Sequence, residues 1–389
     1  MAQSVPAQTP AQGQQETLPA TVDSLAAAVV VVYAQEQDNL LIVSGRLVRE
    51  ALADPSQMPL LWGRLRRAAQ EASQRVRARA YPMAQHVVDV ASRNGNASAA
   101  REARALADRF TLPSKVTPLL PHDANSARFM TADLASRLDA AAARITRFAD
   151  DAYRAATVSG SMEQILEHLG KATPQAAQAQ AWRELTAKGI SGFTDKSGRE
   201  WNLASYVEMA TRTATQRAYN ASHRDRLTLA GINYFTISTT GRPCPLCAPW
   251  EGKVLADGGA GIATEPNART GEPFTFHVSA TIEEATAAGL FHPNCKHTLT
   301  AFLPGATLLQ TNQWSADDEA AYKDTQRLRA LERAVRTAKL QAAAALTPLE
   351  KARALRTVRE GQARIRDFTD QTGLLRRPRR EQPHLGNRP

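Results

Sequence analysis

Cys244-Pro-Leu-Cys247 and His292-Pro-Asn-Cys295-Lys-His297 are the two short stretches that decide how the middle of this chain folds. Together they hold all three cysteines of the sequence and two of its eight histidines. Thiolates and imidazoles are the ligands that zinc accepts in tetrahedral sites. Cys-x2-Cys is one half of a zinc knuckle, and Cys295 with either His292 or His297 supplies the other half. The two stretches therefore predict a structural zinc site closed by four protein ligands.

Two other interpretations of the same residues stay open. A disulfide could join Cys244 to Cys247, but the sequence shows no export signal, and reducing compartments disfavour structural disulfides. Such a disulfide would also leave Cys295 without a cysteine to pair with. The cysteines could instead be buried thiols without a metal, and a histidine beside a proline is also typical of a turn. The choice between His292 and His297 as the fourth ligand is not settled by the spacing.

The composition indicates a mostly helical protein with a real hydrophobic core. Hydrophobic residues make up 43% of the 389 positions but aromatic residues only 6%, and alanine is abundant. This balance favours helices that pack through small side chains, in a chain long enough for two or three domains. No apolar stretch approaches the roughly 20 residues that a membrane helix needs. We expect a soluble protein of the α+β class, mostly α.

The positive charge of the chain is concentrated at its C-terminal end. Residues 321–389 contain 17 Lys and Arg against 7 Asp and Glu, a net charge of +10, which leaves 31 of each sign for the rest. A basic segment can attract nucleic acid or an acidic protein surface. The alternative is a solvated helix face with scattered ion pairs. The run from Arg376 to Arg380 is the densest part of the segment.

Turn signals and hydrophobic periodicity divide the chain into four segments. We expect a disordered N-terminus over 1–22, a helical domain over 23–159, a small α+β module over 160–306, and a basic helical tail over 307–389 that is disordered after about 370. Breaks between helices are predicted at Asp54-Pro55, Tyr81-Pro82, Asn94-Gly95-Asn96 and the segment 112–121.

Local patterns within the last two segments predict their elements in order. They are helices at 161–169 and 174–188, a hairpin at 192–203, a helix at 204–229 capped from the segment 202–205, strands at 234–238 and 250–255, a flexible loop at 257–276, and a helix at 281–288 capped by Thr281. After Pro304 the chain is again helical over 315–368, with a break at Thr347-Pro348.

Four blocks of sequence carry a resemblance to a known family. They are Gly192-Phe193-Thr-Asp-Lys-Ser-Gly-Arg-Glu-Trp201, Tyr206-Val-Glu-Met-Ala-Thr-Arg212-Thr, Cys244-Pro-Leu-Cys247-Ala-Pro-Trp250-Glu-Gly-Lys-Val, and Gly289-Leu-Phe-His292-Pro-Asn-Cys295-Lys-His297. Between Gly189 and Gly305 the chain resembles phage minor capsid proteins of the Mu F-like head-morphogenesis type, especially the minor capsid protein 2 group. The last two blocks, in this order and with a loop between them, are the most specific part of the resemblance.

The resemblance implies a structural protein of a tailed bacteriophage, not an enzyme. Such proteins are present in few copies inside the phage head, near the portal, where they assist head assembly or genome delivery. The implied partners are the portal protein, the major capsid or scaffold protein, and packaged DNA contacted non-specifically through the basic C-terminus. The implied locations are the virion and, during assembly, the host cytoplasm.

Three rival functions use the same residues. A zinc-containing nuclease of the HNH type would use His292, Asn294 and His297, but these lie within six positions instead of being spread over a hairpin and a helix. An ADP-ribosyltransferase would use Arg212, the strand end at 238–240, and Glu283 with Glu284. A sequence-specific DNA-binding protein would use the basic tail, which lacks a recognisable recognition helix.

Overall fold

The computed structural model describes residues 18–110, 124–157, 174–189, 193–194, 200–239, 243–309 and 314–383. Helices dominate these residues and three small sheets accompany them, which confirms the α+β, mostly α class. The helix predicted at 161–169 and the break predicted at 112–121 lie outside the described residues. The helices are α1 (Leu18–Ala53), α2 (Met58–Ala107), α3 (Ala124–Ala143), α4 (Phe148–Ala156), α5 (Pro174–Lys188), α6 (Leu203–Leu229), α7 (Ile282–Ala287), α8 (Ala316–Ala344) and α9 (Pro348–Thr372).

The strands are short and form one four-stranded sheet and two hairpins. The sheet has the order β7-β4-β3-β8, in which β3 pairs antiparallel with β4 and β8, and β4 pairs parallel with β7. The hairpins pair β1 with β2 and β5 with β6. The strands are β1 (Phe193–Thr194), β2 (Glu200–Trp201), β3 (Tyr234–Ile237), β4 (Leu255–Ala256), β5 (Gly261–Pro266), β6 (Pro273–Val278), β7 (Ala280–Thr281) and β8 (Leu299–Ala301).

The helices α1 to α6 form a helical body around one large apolar core. Small side chains let the long helices approach closely, while Leu134, Leu138, Ile145 and Phe148 fill the space between them and are fully buried. The hydroxyl of Tyr33, also fully buried, donates a hydrogen bond of 2.9 Å to the carbonyl of Leu138. The composition had indicated this kind of packing, with few aromatic anchors and many alanines.

Two of the breaks predicted in the helical body do not exist. The break at Asp54-Pro55 is confirmed, because α1 ends at Ala53 and the Asp54 carboxylate accepts a hydrogen bond from the amide of Ser56. In contrast, α2 runs without interruption through Pro82 and Gly95. Proline removes only one intrahelical hydrogen bond, and the alanines and valines buried on both sides of it hold the helix together. Packing has therefore overridden local breaker signals.

The Cys/His module, residues 231–309, is built on the four-stranded sheet. Thr281 caps α7 in a capping box with Glu284, as predicted. The predicted flexible loop at 257–276 is wrong for most of its length, because β5 and β6 pair in register from Gly261↔Val278 to Pro266↔Pro273. The strand predicted at 250–255 is reduced to β4, because Trp250 ends a 3-10 turn and a further turn follows at 251–252.

The module has a small apolar cluster of its own, formed by Val254, Ala256, Val278 and Phe302, but it shares its larger cluster with the helical body. The shared cluster includes Cys247, Cys295 and Phe235 together with Ala99 and Ala103 of α2 and Leu227 of α6. A small sheet of short strands buries little surface, and contact with two long helices supplies the missing apolar area. The module therefore packs as an extension of the helical body.

The C-terminal helices form an antiparallel pair that docks on the helical body. The predicted break at Thr347-Pro348 is confirmed, and the hydroxyl of Thr347 accepts a hydrogen bond from the amide of Glu350 at the start of α9. The indole of Trp182, in α5, donates a 2.7 Å hydrogen bond to the carbonyl of Ala344 at the end of α8. Beyond α9 the chain continues through a short 3-10 helix at Pro378–Glu381.

The close contact between α2 and α6 at Gly95 suggests a matched pair of substitutions. A methyl group added at Gly95 would overlap the carbonyl of Tyr219 in α6, whereas one added at Gly63 of the same helix meets no atom within 4 Å. We expect Gly95→Ala to lower the free energy of unfolding by roughly 1–3 kcal/mol, because α2 and α6 must separate. Gly63→Ala should raise it by up to about 1 kcal/mol through helix propensity. Chemical denaturation checks both, and equal effects of the two changes would contradict the close approach.

Candidate metal centre

The first half of the site is a turn that follows β3. The amides of Cys247 and Ala248 both donate hydrogen bonds to the carbonyl of Cys244, at 3.1 and 2.9 Å. The 3-10 turn Ala248–Trp250 begins immediately afterwards. Cys247 is completely buried and Cys244 is half-buried. The turn presents both thiols to the loop between α7 and β8.

The second half of the site lies in that loop. Gly289 ends α7 with φ of 109°, and Phe291 and Asn294 have φ of 58° and 66°. This left-handed region is uncommon for residues other than glycine, and asparagine tolerates it best among them. The resulting turn lets the amide of Cys295 donate a 2.9 Å hydrogen bond to the carbonyl of His292. The loop thereby brings His292, Cys295 and His297 to the cysteine turn.

All five residues predicted as candidate ligands meet at one place. The sulfurs of Cys247 and Cys295 are 3.6 Å apart, and Nδ1 of His297 is 3.5 Å from the Cys295 sulfur. On the other side, Nε2 of His292 is 2.8 Å from the Cys244 sulfur. The donor atoms form two groups that share Cys247, each with its atoms within 4.8 Å of one another.

These separations fit a tetrahedral ion over most of the cluster. Zinc with its usual bond lengths separates two sulfur ligands by about 3.8 Å, and a sulfur and a nitrogen ligand by about 3.6 Å. The Cys247–Cys295 and Cys295–His297 distances are close to these values. The Cys244–His292 distance is shorter and is that of a hydrogen bond. In its chemistry the donor set therefore suits a closed site of three sulfurs and one nitrogen, while the structure gathers these donors as two groups of three that share Cys247.

Each histidine has a partner on the ring nitrogen that faces away from the cysteines. Nδ1 of His292 is 2.8 Å from the carbonyl oxygen of Pro293, and Nε2 of His297 is 2.7 Å from Oε1 of Glu251. A histidine that binds a metal commonly donates its second N–H to such a carbonyl or carboxylate. His292 is thus oriented to bind through Nε2 and His297 through Nδ1, so the choice between them remains open.

The thiols of the cluster cannot all ionise easily side by side. A hydrogen bond from Cys247, followed by the contact with His292, lowers the pKa of Cys244 to about 4. Cys247 and then His297 lower the pKa of Cys295 to about 5. Between them, hydrogen bonds to Cys244 and Cys295 raise the pKa of Cys247. A divalent cation is the kind of group that would relieve this repulsion, because it holds its thiol ligands in the deprotonated form.

The helical body holds the site through buried polar groups that the sequence analysis missed. The carbonyl of His297 accepts hydrogen bonds from the side-chain amides of Gln216 and Asn220 in α6, the second at 3.4 Å. One oxygen of Glu102, in α2, accepts from the amide of Ala301 in β8, and the other is 2.8 Å from Nε2 of His223. The one available signal was the spacing of polar residues 216, 220 and 223 along one face of a helix.

Two of the residues that the transferase alternative needs are engaged in other contacts. Arg212 forms ion pairs with Asp23 at 2.5 Å and with Glu208 at 3.0 Å. The carboxylate of Glu284 accepts a hydrogen bond from the amide of Thr281 in the capping box. Asn294 is exposed in its turn, whereas His297 is only 2% exposed. Arg212 therefore serves in ion pairs and Glu284 in a helix cap.

The fold and the cluster define a mostly helical protein in which a small Cys/His module is built onto long helices. A family model described as phage minor capsid protein 2 matches residues 18–370. Because that match spans most of the chain, the chain belongs to the phage minor capsid protein 2 family, as the sequence blocks had indicated. No curated protein and no solved structure matches the chain.

The family implies a virion protein of a bacteriophage that interacts with other virion components. Among the residues that the structure describes, no helix has the length and apolar character to cross a membrane.

The contact between α6 and the cluster can be tested with an isosteric substitution. Gln216→Met keeps the shape of the side chain but removes the donor to the His297 carbonyl, and Gln216 is buried. We expect a loss of roughly 1–3 kcal/mol in the free energy of unfolding, because a buried acceptor loses its main partner. Gln180→Met, on the exposed side of α5, is the control and should change stability little. A wild-type melting curve for Gln216→Met would show that this contact is not needed.

Proposed function

We propose that this chain is a structural minor capsid protein of a tailed phage head, present in few copies near the portal, where it assists head assembly or genome delivery. The observation that carries the proposal is the family match over residues 18–370. The proposed partners are the portal protein and the major capsid or scaffold protein. The chain would be found in the host cytoplasm during assembly and in the virion afterwards.

The proposal assigns the chain no catalytic role. A nuclease or transferase needs groups that converge on a substrate and, for metal catalysis, a coordination position left for water or substrate. The cluster instead offers more protein donors than a tetrahedral ion can bind, and three of them are buried. This surplus of sulfur and nitrogen donors supports a structural role and gives no support to the nuclease or transferase alternatives.

We further propose that the cluster binds one structural zinc ion through Cys244, Cys247, Cys295 and one of His292 and His297. The ion would tie the turn after β3 to the loop after α7. This role fits a module whose sheet is too small to be stable alone. Glu251 and the carbonyl of Pro293 would orient the histidines.

The function is tested first by counting the chain in purified phage particles. Quantitative mass spectrometry against the major capsid protein should give a low and fixed copy number. Particles assembled without this chain should be fewer or should fail to deliver DNA. Its absence from mature particles, together with normal assembly in its absence, would overturn the proposal.

Metal content is tested on the purified full chain. We expect about one zinc ion per chain by elemental analysis, and a large loss of thermal stability after chelation, because metal binding contributes directly to folding. Cys295→Ser should abolish binding. Of His292→Ala and His297→Ala, only the substitution of the true ligand should release the metal, while His277→Ala, on the exposed hairpin, is the control. A wild-type chain that contains no metal and melts unchanged with chelator would exclude the ion.

A further inference from the structure

Six cationic side chains from separate parts of the chain lie together beside the Cys/His module. We name Lys296, Arg329, Arg333, Arg336, Arg377 and Arg380 the basic cluster. Lys296 stands between Cys295 and His297, the three middle members belong to α8, and the last two follow α9. Lys296 experiences the positive charges of Arg329, Arg377 and Arg380. The segment after α9 therefore folds back so that Arg377 and Arg380 lie near the Cys/His module.

Side-chain contacts fix the returning segment against α8. Nη1 of Arg336 donates to the carbonyl of Arg380, and Nζ of Lys339 is 3.0 Å from Oε1 of Gln382. Arg376 forms a bidentate ion pair with Glu381, whose side chain is almost fully buried. Arg377 and Arg380 are consequently held beside α8 instead of being spread in solvent.

The carboxylates near the basic cluster do not neutralise it. Glu332 is buried and lies 4.0 Å from Arg380. Glu208 and Asp23 are already paired with Arg212, which adds a seventh cation. Among the residues that the structure describes, these seven cations and three carboxylates leave an excess of about four positive charges.

The crowding of positive charge is visible at Arg329 of α8. Burial, and after it the positive charges of Arg380 and Arg212, lowers the pKa of Arg329. Among the described residues, Arg329 makes no hydrogen bond or ion pair. Like charges held together in this way favour the binding of an anion with several charged groups.

We propose that the basic cluster binds the phosphate backbone of duplex DNA, and this inference rests on the proposed function, because packaged DNA is the polyanion inside a phage head. Guanidinium groups bind phosphate oxygens in a bidentate manner. Arg329, Arg333 and Arg336 succeed one another at about 6 and 4.5 Å along the axis of α8. These steps are comparable to one or two phosphate steps of a DNA strand, which rises about 3.4 Å per nucleotide.

The contact expected is non-specific and lies on the folded surface. Backbone contacts position a protein on DNA without reading its sequence. This differs from an unstructured basic tail, because three members of the cluster belong to α8 and the returning segment is held against that helix by Arg336 and Lys339. The Cys/His module and the C-terminal helices would then contact the same DNA.

The test compares two triple variants of the full chain with equal loss of charge. The cluster variant is Arg329→Gln, Arg333→Gln and Arg377→Gln. The control variant is Arg67→Gln, Arg79→Gln and Arg104→Gln, three exposed positions on α2. Fluorescence anisotropy with two 30-base-pair duplexes of unrelated sequence is recorded between 50 and 200 mM salt, and circular dichroism checks that each variant is folded.

We expect the wild-type chain and the control variant to bind both duplexes with the same salt dependence. The slope of log K against log salt is negative, and it should be less steep by about 2 to 3 in the cluster variant. Each lost phosphate contact removes about 0.9 from the size of the slope. Equal slopes for the cluster and control variants would overturn the proposal. Binding of polyglutamate but not of DNA would also overturn it, in favour of an acidic protein partner.

The copy number in particles separates this inference from the function on which it rests. A chain that is incorporated into heads but does not bind DNA contradicts the inference alone. A chain that binds DNA but is absent from particles, and dispensable for assembly, contradicts the proposed function.

Discussion

The buried polar seam between the helical body and the Cys/His module is the constraint on which the rest of the structure depends. At the centre of this seam, the carbonyl of His297 accepts hydrogen bonds from the side-chain amides of Gln216 and Asn220, and the imidazole of His297 contacts Glu251. Buried polar groups are costly unless they are paired, so these partners fix one relative position of helix and loop. Cys295, two residues away, is placed by the same seam.

Close helix packing places the donors of that seam. Gly95 lets α2 approach the backbone of α6 at Tyr219, between the donors Gln216 and Asn220. The same approach brings Glu102, two turns further along α2, to the amide of Ala301 and to His223. A body of alanine-rich helices can thus hold a small sheet without many aromatic side chains, because backbone proximity replaces side-chain volume.

The returning C-terminal segment links the tail to the same region. Its charges were visible in the sequence as a basic run, but their position beside Lys296 results from the antiparallel pairing of α8 with α9 and from the Arg336–Arg380 contact. If the module is held by zinc and the adjacent cluster binds DNA, then one part of the surface combines a structural ion with a site for the genome.

The sequence by itself determined the features that depend on neighbouring residues. The caps at Asn202 and Thr281, the break at Thr347-Pro348 and the family blocks are local patterns, and the five candidate ligands could be named from spacing alone. Only the tertiary structure decided what depends on distant contacts. Packing keeps α2 continuous at Pro82 and Gly95, and β5 pairs with β6 where a loop was predicted. Gln216, Asn220 and Glu251 contact the candidate site only because distant segments meet there. Burial between distant segments outweighs a single breaker residue, and no local pattern records which segments will meet.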